Sequence, residues 1–389
     1  MSKSPTYLLV SLPTSITNTN DKEDALDQVR ANISDNGTLY PFAIPGFKIG
    51  TLDALVQQAD DLAKLDTACD GVVNKSADAL KSILDDDNDD KLAQQKTIND
   101  KPVDQYLRSF SWNKVKYRAD KSIAELIDSL QKEVAGIDND VKSKFSQYNQ
   151  VKSTLTASQR RQTGNLSTRS LASIVPSSAI VQDSEYIETH LVAVPKQMVK
   201  DFLKSYESLA PMVVPRSSVE VASDDEFKLY AVTTFKKHST EFIHKCREKR
   251  WIPRDYTYKA GGREEEAKEV DRLEKEERKL WGEALRLGRT GYSESAMIWV
   301  HVLALRVFVE TVLRYGLPLE FVCALIQSNP KLSKKAKASL DTQYSYLGGN
   351  ALQRDKKGRV KKDVPTESGG AVGGDAEYTA YVYYEFEFV

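Results

Sequence analysis

Two stretches of this chain carry a coiled-coil heptad pattern, and they lie far apart in the sequence. The first runs through Ile127, Leu130, Val134, Ile137, Val141, Tyr148, Val151 and Leu155, with Lys144 at one seam position. The second runs through Val270, Leu273, Leu280, Ala284 and Leu287, with Glu277 in the seam. Steps of three and four residues place a narrow apolar stripe on a helix, and such a stripe is not buried without a partner. The pair predicts two long antiparallel helices packed on each other. A chain built this way leaves one body, runs out to a second and returns, which suits a strut better than a catalyst. Continuous from 120 to 159, the first helix is about 60 Å long at ~1.5 Å per residue. Gly136 within it costs roughly 1 kcal/mol relative to Ala and predicts a local kink. Thr163-Gly164-Asn165 supplies its stop.

Both chain ends contribute to the first body. Tyr7 to Leu12 reads as a strand stopped by Pro13, 18–24 as a polar loop, and 41–50 as an extended segment punctuated by Pro and Gly. A helix starts at Leu52 behind Thr51 as N-cap, and its pattern resumes through Val72 to Leu84. A further helical region near Val103 carries Tyr106, Phe110, Trp112 and Tyr117. On the return, Gly288 to Gly291 predicts a break, Ser293 a new cap, and Glu294 to Tyr315 a helix apolar nearly all round. Gly316 and Pro318 end it. Tyr378 to Val389 alternates as a strand and is expected to share a sheet with the N-terminal strand. Between the arms, strands at Glu188–Val194, Val219–Ala222 and Leu229–Phe235 mix with helices near Met198–Tyr206 and Phe242–Cys246. The expected fold is elongated, multidomain α+β: a first body of 1–119 and 289–389, helical arms of 120–163 and 263–288, and a second body of 164–262.

The chain carries 55 basic against 56 acidic side chains, a net charge of -1. That balance argues against bulk attraction to nucleic acid or an acidic membrane. Cys69, Cys246 and Cys323 lack paired spacing and fit a reducing compartment. No basic, apolar and cleavage-site succession opens the chain, and Arg306 and Glu310 interrupt the most apolar run, so a cytoplasmic protein without membrane insertion is expected. No P-loop is present, and Gly369 to Gly374 reads as linker. Asp85, Asp87 and Asp89 match the first ligands of an EF-hand loop, but Asp90 and Lys96 stand where Gly and Glu are needed. His238, His244 and Cys246 lack metal-ligand spacing, and His301 reads as a hydrogen-bonded core residue. No catalytic residue, metal site or cofactor is expected. The charged run Arg263 to Lys279 reads as a solvated helix face. Lys236, Lys237, Lys245, Arg247 and Lys249 form a basic cluster near Trp251 that suits an acidic partner or RNA, or is a solvated helix face. Arg160 and Arg161 before Thr163 mark that threonine as a candidate phosphorylation site.

Several runs together resemble one family, the C-subunit of the eukaryotic V-type proton ATPase. They are Ile44-Pro-Gly-Phe-Lys-Ile-Gly-Thr-Leu-Asp-Ala-Leu55, Ser109-Phe-Ser-Trp-Asn-Lys-Val-Lys-Tyr117, Val213-Val-Pro-Arg-Ser-Ser218, Leu229-Tyr-Ala-Val-Thr-Thr-Phe-Lys236, and Trp299 to Glu310 continuing to Leu313-Arg-Tyr-Gly-Leu-Pro318. The resemblance implies a foot made from both chain ends, a helical neck and an inserted head. It implies a stator that neither hydrolyses ATP nor conducts protons. Its head would grip a stalk heterodimer of the E- and G-subunits, and its foot a second stalk and the cytosolic part of the membrane a-subunit. It also implies departure from the complex during reversible disassembly, and actin binding has been attributed to members. Two other readings stand beside it, a cytoskeletal cross-linker and a hydrolase whose triad or metal only folding assembles.

Overall fold

The structure is a computed structural model, described for residues 5–84, 89–259, 261–317, 320–351 and 379–388. The glycine-rich segment, Pro318 and most of the acidic run lie outside these residues. In chain order the elements are β1 (Thr6–Pro13), α1 (Lys22–Ile33), β2 (Thr38–Pro41), α2 (Leu52–Leu84), α3 (Asp89–Gln95), β3 (Thr97–Ile98), β4 (Lys101–Pro102), α4 (Val103–Arg108) and α5 (Ile123–Thr163). They continue as β5 (Ile187–Pro195), α6 (Val199–Ser205), β6 (Val219–Ser223), β7 (Phe227–Phe235), α7 (Ser239–Glu248), β8 (Ile252–Arg254), α8 (Gly262–Tyr315), β9 (Phe321–Ser328), α9 (Leu332–Tyr344) and β10 (Val382–Glu387). The chain forms two compact units, Met1–Phe145 with Glu283–Val389, and Ser146–Gly282. Mixed helix and sheet make it α+β.

The first unit is built on an antiparallel sheet of order β10-β1-β9-β2, so the two chain ends do pair, with Tyr7 opposite Phe386. β1 is buried on both faces, which is why its sequence is a continuous apolar run. Tyr7 and Leu9 face a core shared with α2 and α8. Leu8, Val10 and Leu12 face a second core with α1 and α9. The polar stretch 18–24, read as loop, contains the start of α1. Asp21 caps that helix by accepting from the N–H groups of Glu23 (2.8 Å) and Asp24 (3.3 Å), and Ala25, Val29 and Ile33 bury its inner face. No sequence pattern announced β9 or α9. The Thr51 cap is present, its Oγ1 accepting from Ala54 N–H at 3.3 Å.

The expected break at Gly288 to Gly291 is absent, and α8 is continuous through it. These glycines are not hinges but contact points. A Cβ on Gly288 would stand 2.8 Å from Leu80 Cδ2, and one on Gly291 would stand 2.6 Å from Val141 Cγ2. Neither position admits a side chain without displacing a neighbour, because α2 and α5 both approach α8 there. The seam expected between two helices is therefore shared by three, with Lys75 of α2 paired to Asp138 of α5 at 3.2 Å and Lys144 paired to Glu283 at 3.0 Å. Ser293, expected as a cap, instead accepts from Asn99 N–H at 2.9 Å. One 18-residue window in α8 is long and apolar enough to cross a membrane, and 83% of it is buried within the protein.

Polar tethers hold this core. Asp66 of α2 accepts from Trp299 Nε1 (2.6 Å) and pairs with Arg306, whose guanidinium lies 4.5 Å from the Tyr384 ring centroid. Trp299 also meets Phe388 edge-on at 4.8 Å, which pins the C-terminal strand to α8. His301 is a core histidine, as expected. One ring nitrogen accepts from Asn113 N–H at 3.1 Å, and the other lies 2.8 Å from the Met297 carbonyl. Burial among Phe110, Trp112 and Tyr117 lowers its pKa to about 4.

The second unit has the order β5-α6-β6-β7-α7-β8 and an antiparallel sheet of order β6-β7-β5-β8. That is the split βαβ, ferredoxin-like arrangement. Its halves echo each other 40 residues apart: Lys196, Asp201 and Phe202 correspond to Lys236, Glu241 and Phe242, each set leading from a strand through a 3₁₀ turn into a helix. Helices α6 and α7 cover one sheet face around Phe202, Phe242 and Trp251. The chain between α5 and β5 covers the other, with Leu166, Leu171 and Val175 against Leu191, Ala193, Leu229 and Ala231. Asp224, at the β6–β7 turn, accepts from Leu166 N–H at 2.5 Å, and Asn165 donates to Glu226 at 2.6 Å. These bonds fix the exit of α5 to one end of the sheet.

Candidate interaction surfaces

The structure separates the basic cluster. Lys236 and Lys237 sit exposed on the 3₁₀ turn after β7, at the sheet end opposite the Asp224 turn. Lys245 is paired with Glu241 at 2.8 Å, and this bond holds the Glu241 carboxyl below its usual range. Arg247 lies about 200° around the helix from Lys245, on the other flank. Lys249 is exposed at the C-cap of α7. Trp251 is buried in the core, edge-on to Phe202 at 5.0 Å, so it offers no ring for base stacking. The opposite sheet face, which a ferredoxin-like module would use to stack bases, is occupied by the Leu166–Val175 chain.

Thr163 is exposed at the last residue of α5, its hydroxyl donating to the Gln159 carbonyl at 3.1 Å. Immediately beyond it, Ser170 N–H donates to the Arg161 carbonyl at 2.6 Å, folding the chain back on the helix end. His244 is exposed beside Glu248, whereas Cys246 is buried, so these two do not converge. Among the described residues no group of three His, Cys, Asp or Glu side chains could hold a metal ion.

Sequence reasoning missed a groove of about 340 Å³ on the second unit. It opens where the Leu166–Ile180 chain stops covering the sheet. Ala231 and Thr233 of β7 form its floor, and Ile180–Val181 and Val219–Val221 its walls. Strand alternation carries the same face from Ala231 and Thr233 to Phe235. Phe235 N–H donates to the Met212 carbonyl at 3.2 Å, so Met212 is its neighbour. Val219 (55% exposed) and Val181 (36%) line the groove, and Met212 (59%) and Phe235 (38%) stand exposed where the β7 face continues beyond it. Met212 has φ +58°, a left-handed conformation that L residues other than Asn and Asp seldom adopt. Its loop is held firmly: Glu207 accepts from Arg216 N–H (2.8 Å) and the Tyr206 hydroxyl (3.0 Å), and Val214 N–H donates to the Thr233 carbonyl (3.0 Å). Glu220 at the groove is paired with Lys228 at 2.9 Å, which lowers its carboxyl pKa. No sequence signal marks these side chains as exposed; alternating apolar residues in β6 and β7 read equally well as core.

Residues 7–382 match the family model described as the C-subunit of V-ATPase. The chain is 38% identical over 388 residues to the V-type proton ATPase C-subunit of Saccharomyces cerevisiae, covering 97% of this chain and 96% of that one. It is 39% identical to V-type proton ATPase C-subunit 1 of Macaca fascicularis, covering 93% of both. It is 40% identical to V-type proton ATPase C-subunit 1 of Bos taurus, covering 89% of this chain and 88% of that one.

Proposed function

This chain belongs to the V-ATPase C-subunit family, and from that premise we propose that it serves the proton-pumping complex as a non-catalytic stator on the cytosolic face of an endomembrane. In this reading 1–119 with 289–389 are the foot, 120–163 with 263–288 the neck, and 164–262 the head. The head grips an E–G stalk heterodimer. The foot holds a second stalk and the cytosolic domain of the a-subunit. The observation that carries the reading is the insertion of one compact unit, with its own core, into the sequence of another, so that α5 and α8 are the two covalent connections between them.

Two bodies with separate cores present separate surfaces. Attachment through both is stronger than through either, because holding one end raises the effective concentration of the other. Weakening one grip therefore releases the whole protein, which suits reversible disassembly of the pump. Of the five cations assigned to the head grip, Lys236 and Lys237 have the best support, Lys249 stands exposed at the other end of α7, and Lys245 and Arg247 lie on opposite flanks of that helix. A phosphate on Thr163 would add negative charge at a helix C-terminus, where the macrodipole opposes it, and would loosen the neck–head junction. The test mixes the purified chain with recombinant E–G heterodimer and the a-subunit cytosolic domain. One complex containing all three is expected; separate elution of the chain would overturn the stator reading.

A further inference from the structure

We propose that the groove beside β6 and β7 seats one amphipathic helix of an acidic partner, with Met212, Val219 and Phe235 as its apolar anchors and Lys236 and Lys237 as its charged rim. The inference rests on the reading of this unit as the stalk-binding head. Val181 and Val219 line the groove, Phe235 continues the strand face of its floor and Met212 adjoins Phe235, whereas scattered single apolar side chains would need no explanation. Phe and Met are among the residues that interfaces favour. The surface is preformed, since the Met212 loop is tied by Glu207 and by two backbone bonds to β7. Little ordering is left to oppose binding.

Charge selects the partner. Among the described residues Lys236 and Lys237 make no ion pair, while Glu220 on the groove wall is already matched by Lys228. A carboxylate on the partner is therefore drawn to the lysine side. Geometry selects a helix over a strand. A bulge between Glu220 and Ala222 breaks the regular edge that strand addition needs. From Ala231 to Phe235 the strip is about 13 Å long, the reach of side chains at i, i+4 and i+8 on one helix face.

The full chain is titrated with recombinant E–G heterodimer. Met212→Glu with Val219→Glu is expected to weaken one binding event at least ~tenfold. Lys236→Glu with Lys237→Glu is expected to weaken the same event several-fold and flatten its salt dependence. Lys200→Glu with Lys204→Glu, two exposed lysines of α6 outside the five assigned to the grip, is the control and should stay within about twofold of the parent. Met212→Ser with Val219→Ser repeats the test if the glutamates disturb folding. Binding by every groove variant equal to the parent would overturn the groove and leave the stalk reading intact. No binding by the parent chain would overturn both.

Discussion

The two units treat their apolar surface in opposite ways. The first, the larger, leaves five large hydrophobic side chains exposed among those described: Leu52, Val56, Val115, Leu317 and Tyr346. The second, though smaller, leaves eight: Val181, Tyr186, Leu203, Met212, Val219, Phe235, Ile252 and Trp281. The first closes its sheet between helices on both faces and ties in both chain ends. The second covers its sheet incompletely and keeps the uncovered part stiff. A closed body gives rigidity, and an open, preformed groove gives a place to bind. On the stator reading proposed above, a strut needs both, and the two units would divide them.

Trp299→Ala is the severest test of the closed unit. It removes a buried ring and leaves Asp66 without one donor, and about 4 kcal/mol of stability should vanish in denaturant unfolding. A loss as small as that of a surface substitution would show that the first unit is not closed around α8. The groove double substitution Met212→Glu with Val219→Glu should by contrast leave unfolding within about 0.5 kcal/mol of the parent, since both side chains are exposed.

Acid sharpens the contrast further. His301 is held neutral in the fold, with its pKa lowered from 6.5 to about 4 by burial, so the unfolded chain takes up a proton first. Its contribution is fully present above pH 6.5 and is lost as pH falls toward 4, amounting to about 3 kcal/mol. His301→Gln, which can still accept from Asn113 N–H, should flatten that part of the pH–stability profile. An unchanged profile would remove His301 from the account.

Gly291→Ala should cost about 2 kcal/mol, because Val141 must move to admit a Cβ. Gly136→Ala, with open space around it, should stabilise by roughly 0.5–1 kcal/mol. Opposite signs for two glycine replacements in neighbouring helices would confirm that contact, not flexibility, explains the first. The smallest effect is expected at Thr163→Glu, a loss of about 0.5 kcal/mol from a like-signed charge at the end of α5. Its measurable consequence is a slightly lower melting temperature for the second unit.

These glycines also mark the limit of what the sequence discloses. Heptad spacing identified both seams, and Ile127, Leu130, Val134, Val141, Tyr148 and Leu155 are all buried. It gave no sign of a third helix, because the face that α2 presents through Ser76 and Leu80 looks like an ordinary amphipathic stripe. Gly288 and Gly291 consequently read as a break. Three of the four strands of the second unit were legible, as was the sheet shared by the chain ends, while the short β8 was not. β9 escaped notice beside the glycine and proline that precede it, and α1 escaped behind its polar cap. The basic residues were visible, but half a helix turn separates Lys245 from Arg247, and only strand pairing brings Met212 to Phe235. Exposure of an apolar residue depends on what fails to cover it, which no local pattern records.

The central claim is that the two units hold different partners, and composition of the assembled complex tests it most directly. Native mass spectrometry of the chain with E–G heterodimer and the a-subunit cytosolic domain would be compared with that of the Met212→Glu/Val219→Glu chain. The account predicts that the variant keeps the a-subunit domain and loses one stalk heterodimer. An unchanged composition, or loss of both partners together, would contradict it.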